Sequence, residues 1–121
     1  MVYDETARFL DYTEKYTNTG RVSFVVPAPL PKAMTTKIQR MAIRAFQSID
    51  GAGLARVDFF LPRNGGGLVI NELNTMPGLT EVSGYPKMWE ASGLPFSRLI
   101  EVLIELAFER HRDKSLTKTS R

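Results

Sequence analysis

The residues of this chain best equipped for chemistry lie between Arg56 and Ser83. Arg56 and Asp58 alternate in the apolar run Leu54-Ala-Arg-Val-Asp-Phe-Phe-Leu61, and Glu72 and Asn74 alternate in Val69-Ile-Asn-Glu-Leu-Asn74. If both runs are strands, period-two alternation puts Arg56, Asp58 and Phe60 on one face of the first. The same rule puts Ile70, Glu72 and Asn74 on one face of the second. Charged groups in so apolar a strand are costly unless they are paired or used on a ligand. Pro77-Gly78 then breaks the chain into a turn whose backbone N–H groups are free to take an anion.

Asp58, Glu72 and Asn74 form an all-oxygen set, which suits Mg²⁺ and disfavours zinc or copper. Mg²⁺ usually completes its octahedron with substrate phosphates and water, so the set implies a phosphorylated ligand, with ATP the plainest choice. Arg56 could stabilise charge on a transferring phosphoryl group, and the Gly78 N–H could serve a tetrahedral oxyanion. A glycosidase would use Asp58 and Glu72 but leaves the amide, the Arg and the turn unexplained. A purely structural Arg56–Asp58 pair is the competing account of the first strand. The single histidine, His111, falls in a polar segment and the chain has no cysteine, which excludes a His-based nucleophilic system and thiolate chemistry.

The elements around these residues follow from spacing. Arg21–Pro27 reads as a strand, and Pro27, Pro29 and Pro31 impose an extended connection. Met34, Ile38, Met41, Ala42, Ala45, Phe46 and Ile49 recur at three and four residues, predicting a helix over about Lys32–Ser48. Asp50-Gly51-Ala-Gly53 should end it, with the glycines supplying the C-cap and turn. Pro62–Gly67 lacks the Gly-Lys-Ser/Thr ending of a phosphate loop and reads as a hairpin turn, making the two charged strands antiparallel neighbours. One or two helical turns are expected at Pro86–Ser92, with Met88 and Trp89 plugging the core. A last helix follows, capped by Ser97 and carrying the stripe Leu99, Ile100, Leu103, Ile104, Ala107 and Phe108. The sum is an α+β chain, an antiparallel sheet with flanking helices, of about three strands and two main helices.

Length and composition bound the rest. The chain has 121 residues, 43% apolar and 24% charged, as in a globular domain able to bury a core, and it has no cysteine. The net charge of +3 is local. The last twelve residues carry five Lys/Arg and one acid, leaving eleven basic and twelve acidic side chains over residues 1–109. That argues against a nucleic-acid-binding face and for a disordered basic tail at residues 113–121. No apolar run nears the roughly 20 residues a membrane helix needs, so no membrane role is expected. Residues 1–20 read as a polar, aromatic-dotted loop. Its Lys15-Tyr16 pair could close over a phosphate or simply belong to a salt-bridged surface loop.

Three blocks carry a family resemblance: Gly53-Leu-Ala-Arg-Val-Asp-Phe-Phe60, Asn71-Glu-Leu-Asn-Thr-Met-Pro-Gly-Leu-Thr80 and Tyr85-Pro-Lys-Met-Trp-Glu-Ala-Ser-Gly93. They closely resemble the C-terminal part of D-alanine–D-alanine ligases, ATP-grasp enzymes that make the dipeptide for peptidoglycan in the cytoplasm. The similarity runs from about Phe9 to Phe108, and its Asn-Glu-x-Asn-Thr-x-Pro-Gly block is highly specific. The resemblance implies that residues 21–112 form part of an ATP-grasp C-terminal domain. It further implies that Asp58 and Glu72 hold one Mg²⁺ and Glu72 and Asn74 a second, with Mn²⁺ admissible in their place. Arg56 and the Gly78 N–H would stabilise the tetrahedral intermediate, and Ser83 would hold the carboxylate of the second amino acid. Lys15 and Tyr16 match a pair on the family's closing loop (residues 1–20 here), and Phe60 matches a position near the adenine ring.

The expected partners are therefore D-alanine and ATP, with a homodimer in the full-length enzyme. Family members are much longer, which implies that this chain is a fragment inactive by itself. A non-catalytic Mg-nucleotide-binding remnant is the corresponding alternative. Phe9–Tyr16 also resembles the ligases that make D-Ala-D-Ser. Gly84, however, stands where those typically carry Arg and where the D-alanine enzymes often carry Met, leaving the second substrate open between D-alanine and D-serine.

Overall fold

The computed structural model of the chain describes residues 2–3, 22–23, 25–62 and 66–116. The chain divides into two units, Met1–Leu30 and Pro31–Arg121. The expected loop boundary lay ten residues earlier, after residue 20.

In the first unit, β1 (Val2–Tyr3) pairs antiparallel with β2 (Val22–Ser23), Val2 opposite Ser23 and Tyr3 opposite Val22. The strand expected over Arg21–Pro27 is thus only two residues long among those described. Val25 is already out of it, and the chain bends at Val26 and Pro27, joined by a cis peptide bond. Prolines at 27, 29 and 31 have no N–H to offer a ladder, so pairing cannot be extended through them.

The second unit opens with α1 (Lys32–Ser48), matching the range its apolar spacing predicts. The Pro31 carbonyl accepts the first helical N–H groups, from Met34 at 2.9 Å and Thr35 at 3.0 Å. Its stripe residues Met34, Ile38, Met41, Ala42, Ala45 and Phe46 are half-buried, and the helix packs against β3 (Arg56–Phe60). The helix ends in a Schellman motif. The Gly51 N–H donates to the Phe46 carbonyl at 3.0 Å, and the Asp50 N–H donates to the Gln47 carbonyl at 3.1 Å.

The left-handed residue of that motif is Asp50 (φ 51°), not the glycine expected from sequence. Aspartate tolerates this region better than most residues. Here its carboxylate also accepts a hydrogen bond from Arg110 Nη2 at 2.7 Å, which ties the end of α1 to the last helix. Gly51 is required for space instead. A Cβ there would overlap the Phe46 ring and stand 2.8 Å from the Phe46 carbonyl oxygen. Gly51→Ala is therefore expected to destabilise the protein by about 1–3 kcal/mol, read as a lowered thermal midpoint; an unchanged midpoint would refute the packing argument.

The hydrogen bond from Arg110, reinforced by its positive charge and by Lys114, holds the Asp50 carboxyl below its ordinary value of 3.8. A group so depressed in the folded state stabilises it above the ordinary carboxylate range, and the contribution is lost as pH falls through the lowered value. A residue-resolved NMR titration should find the Asp50 midpoint below 3.8 and Arg110→Gln should return it upward. A midpoint indifferent to that substitution would contradict the ion pair.

Beyond Gly53, β3 pairs antiparallel with β4 (Val69–Asn74), the hairpin expected from sequence, with turn residues 63–65 outside those described. The helix α2 (Gly84–Ala91) ends in the same motif as α1, with Gly93 (φ 91°) in the left-handed position where a side chain would be strained. Met88 and Trp89 do not plug a core, for they are 40% and 41% exposed. Tyr85 and Pro86 are the buried residues of α2, with the Tyr85 and Trp89 rings meeting edge to face at 6.3 Å.

The last helix, α3, spans Phe96–Leu116 and packs on α2. It begins a residue before Ser97, so Ser97 lies in its first turn and does not cap it; the Pro95 carbonyl accepts the Leu99 N–H at 2.9 Å. It also continues through residues 113–116, where the sequence suggested a disordered tail, and residues 117–121 lie outside those described. Leu99, 1% exposed, is the one large side chain fully buried among the described residues. The stripe it heads opens toward solvent at Ile104 and Phe108, 52% and 67% exposed. The core is thinner than length suggested: among the described residues α1 packs on a two-stranded hairpin and α2 on α3, layers too narrow to cover every apolar face.

Candidate functional site

The hairpin register assembles the charged residues. Arg56 lies opposite Asn74, Val57 opposite Leu73 and Asp58 opposite Glu72, so the four polar side chains occupy two cross-strand pairs on one face, with the Val57–Leu73 pair between them on the other. Directly opposed residues have Cβ atoms about 5 Å apart and share a face. One residue further on the pattern breaks at a β-bulge. Phe59 pairs with Ile70 and Phe60 with Val69, leaving Asn71 as the extra residue. Strict alternation had placed Ile70 with Glu72 and Asn74; the bulge pairs it with Phe59 instead and leaves the polar pairs as a separate patch.

Within the patch Arg56 grips Asp58 bidentately, Nε donating to Oδ1 at 2.7 Å and Nη2 to Oδ2 at 2.8 Å. The same Nη2 reaches Glu72 Oε1 at a looser 3.4 Å. The Arg56 and Asp58 side chains are about one-third exposed, at 34% and 33%, and Glu72 is 55% exposed. One guanidinium thus bridges two carboxylates, leaving the trio one negative charge in excess on an accessible surface. Asn74 Oδ1 accepts the Met76 N–H at 2.9 Å, which shapes the exit from β4.

The donor set fits a hard divalent cation. Among the described residues no group of three or more His, Cys, Asp or Glu side chains converges, so any cation here would rely on two carboxylates and an amide oxygen. That number suits Mg²⁺, which takes its remaining oxygens from phosphate and water. Each Asp58 oxygen, and the Asn74 Oδ1, keeps a lone pair beyond the hydrogen bond it accepts.

A second cluster follows through the buried Pro77. The backbone folds back so that the Ser83 N–H donates to the Thr80 carbonyl at 2.8 Å. Ser83 Oγ accepts the Thr80 N–H at 3.2 Å and lies 2.7 Å from Thr80 Oγ1. Gly78 is overlain by Ser83, because a Cβ at 78 would stand 2.9 Å from Ser83 Oγ and 3.4 Å from its Cβ. Gly78 and Ser83, singled out separately in sequence, are therefore neighbours. Thr80 was not singled out. Its signal was a hydroxyl residue three before a serine in a turn, a pattern too common to select by itself.

Phe60 sits at the end of β3, two residues from Asp58, and is 54% exposed. Lys15 and Tyr16 lie outside the described residues.

Comparison with known proteins converges on one relationship. A family model described as the D-ala D-ala ligase C-terminus matches residues 2–105. A D-alanine–D-alanine ligase of Ruminiclostridium cellulolyticum is 53% identical over 106 residues, covering 87% of this chain and 28% of the relative. Among solved structures, the D-alanine-D-alanine ligase from Coxiella burnetii superposes with a TM-score of 0.69 at 49% identity, covering 73% of this chain and 25% of that one. The VanG D-Ala:D-Ser ligase from Enterococcus faecalis gives 0.68 at 37% identity, covering 84% and 29%. A Bacillus anthracis D-alanine–D-alanine ligase complexed with ATP gives 0.65 at 25% identity, covering 72% and 29%. The chain spans about a third or less of the length of the curated relatives it matches.

Proposed function

The chain belongs to the D-alanine–D-alanine ligase family, and from that premise we propose that it supplies the phosphate-facing and acceptor-binding part of a ligase joining two D-alanines at the expense of ATP. The observation that carries the reading is the cross-strand pairing of Asp58 with Glu72 beside Arg56 and Asn74, which gathers the oxygen ligands and one permanent cation on one face.

The reaction has two steps. The γ-phosphoryl of ATP passes to a carboxylate oxygen of the first D-alanine, giving ADP and an acyl phosphate. The amine of the second D-alanine attacks the acyl carbon, phosphate leaves, and the nitrogen gives up a proton to yield D-Ala-D-Ala. Asp58, Glu72 and Asn74 would hold two Mg²⁺, with Asp58 and Glu72 on one and Glu72 and Asn74 on the other; Mn²⁺ could replace them. When bound, the metal would neutralise phosphate charge. Arg56, charged at every working pH, faces the negative charge that builds as the acyl centre becomes tetrahedral. The Gly78 N–H donates to that oxyanion, and the Ser83 hydroxyl binds the carboxylate of the second amino acid. We assign Lys15 to nucleotide binding and Tyr16 to catalysis, and Phe60 lies by the adenine. The setting is cytoplasmic synthesis of peptidoglycan precursor, and a homodimer is the proposed assembly. Among the described residues no helix is long and apolar enough to cross a membrane.

The test is an assay of the gene product that carries this chain, with ATP and D-alanine, following ADP release and the dipeptide by mass spectrometry. Absence of D-alanine-dependent ADP release would reject the reading. A second reading, D-serine as the acceptor, draws support from the 37% identity to the VanG ligase. Gly84, the first residue of α2, adjoins Ser83 and carries no side chain to select between the acceptors. Offering both amino acids in competition separates the two, since dominance of D-Ala-D-Ser would replace the first reading.

A further inference from the structure

We propose that Thr80 is a positioning residue for acceptor binding: its backbone N–H and its hydroxyl together clamp Ser83 Oγ, so that the single serine hydrogen is presented to the carboxylate of the incoming amino acid. The inference rests on the role of Ser83 stated above and adds a residue to it.

A serine hydroxyl carries one hydrogen and two acceptor lone pairs. One lone pair of Ser83 takes the Thr80 N–H at 3.2 Å. The 2.7 Å contact between the two hydroxyl oxygens allows either to donate. A carboxylate accepts only, so its arrival resolves the choice. Ser83 must donate to it, and Thr80 then donates to Ser83, filling the second lone pair. Two donors from one residue saturate the acceptor capacity of Ser83 and leave its hydrogen directed outward. Chained hydrogen bonds of this kind polarise one another, which strengthens the terminal bond to the anion.

Two further observations fit a hydroxyl reserved for this use. Ser83 is the N-cap residue of α2, with φ −71° and ψ 150°, yet its side chain makes no capping hydrogen bond to that helix. Serine at this position ordinarily spends its oxygen on the free N–H groups of the first turn. Here that oxygen is turned to Thr80. Gly78 then provides the space, because a Cβ there would press on Ser83 Oγ at 2.9 Å. Threonine is also stiff about χ1, so its hydroxyl is a fixed post for the serine.

The test is steady-state kinetics on the gene product that carries this chain, combined with a double-mutant cycle. Thr80→Val keeps the shape and removes the hydroxyl. It should raise the KM for the acceptor amino acid by about tenfold, with kcat and the KM for ATP within about threefold of the parent. Thr80→Ser should recover most of the loss. In a Ser83→Ala background Thr80→Val should add nothing, because the hydroxyl it orients is already gone. An unchanged acceptor KM in Thr80→Val, a KM for ATP that rises in step with it, or effects that multiply with those of Ser83→Ala would each overturn the proposal. If Thr80→Val does not fold, Thr80→Ala in the same cycle gives the same readouts. A parent that makes no dipeptide overturns the ligase reading and this role with it, whereas an active parent with an indifferent Thr80→Val overturns this role alone.

Discussion

Glu72→Gln should reduce D-alanine-dependent ADP release by at least about a hundredfold while leaving the fold almost untouched. The substitution preserves shape and keeps an oxygen where Arg56 Nη2 now reaches it at 3.4 Å. What it removes is one negative charge from the cross-strand pair with Asp58. In the proposed reaction Glu72 is the ligand common to both metal sites, so a neutral amide there weakens both at once. Charge stabilisation of transferring phosphoryl groups is worth several kcal/mol, and loss of one preorganised contact commonly costs 10²–10³ in turnover. Stability should change by no more than about 0.5 kcal/mol, because the side chain is 55% exposed and its ion pair is long. Turnover and thermal midpoint measured on the same preparation check both halves. Full activity in the variant would remove Glu72 from the site.

Arg56→Lys is the second large effect, and it tests geometry where the first tests charge. The lysine keeps the positive charge but cannot reproduce the fork that now sets Nε and Nη2 on the two Asp58 oxygens at 2.7 and 2.8 Å. A planar bidentate donor and a point charge are not interchangeable at such a position. We expect turnover to fall by about a hundredfold, in the range typical of losing an aligned donor to a tetrahedral oxyanion. The stability cost should be small, because both partners are about one-third exposed and solvent screens the pair. Arg56→Ala should do more harm to the fold, since it leaves the Asp58 and Glu72 carboxylates facing each other across the hairpin without a counter-charge. Turnover in Arg56→Lys equal to that of the parent would mean that the Arg56–Asp58 pair is structural only, the competing account of this strand.

Much of the site was legible because it is local in sequence. Alternation in two short apolar runs, with Pro62–Gly67 between them, is enough to predict a hairpin and to make the two charged strands neighbours, without fixing their register. The helix over Lys32–Ser48 was equally readable, because a three- and four-residue spacing of apolar side chains admits no other regular structure. The residues that escaped notice are those whose partners lie off the period. Asp50 meets Arg110 sixty positions away. Thr80 meets Ser83 only because the turn closes on itself. The bulge at Asn71 is a break in register, which period-two alternation does not specify.

By itself, then, the chain of residues determined which groups are available: two carboxylates, an amide, a guanidinium, a glycine turn and a serine, on elements whose type the periodicity dictates. Tertiary structure decided what those groups do to one another. It chose the register that opposes Asp58 to Glu72, put Asp50 where a glycine was expected, and turned the Ser83 hydroxyl toward Thr80 and away from its own helix. It also decided burial. Trp89 and Met88 read as core residues, yet α2 packs on α3 with both of them about 40% exposed, and Leu99 alone is sealed among the described large side chains. Type and period are properties of neighbours along the chain, whereas register, burial and hydroxyl direction depend on which groups the folded backbone brings to the same place.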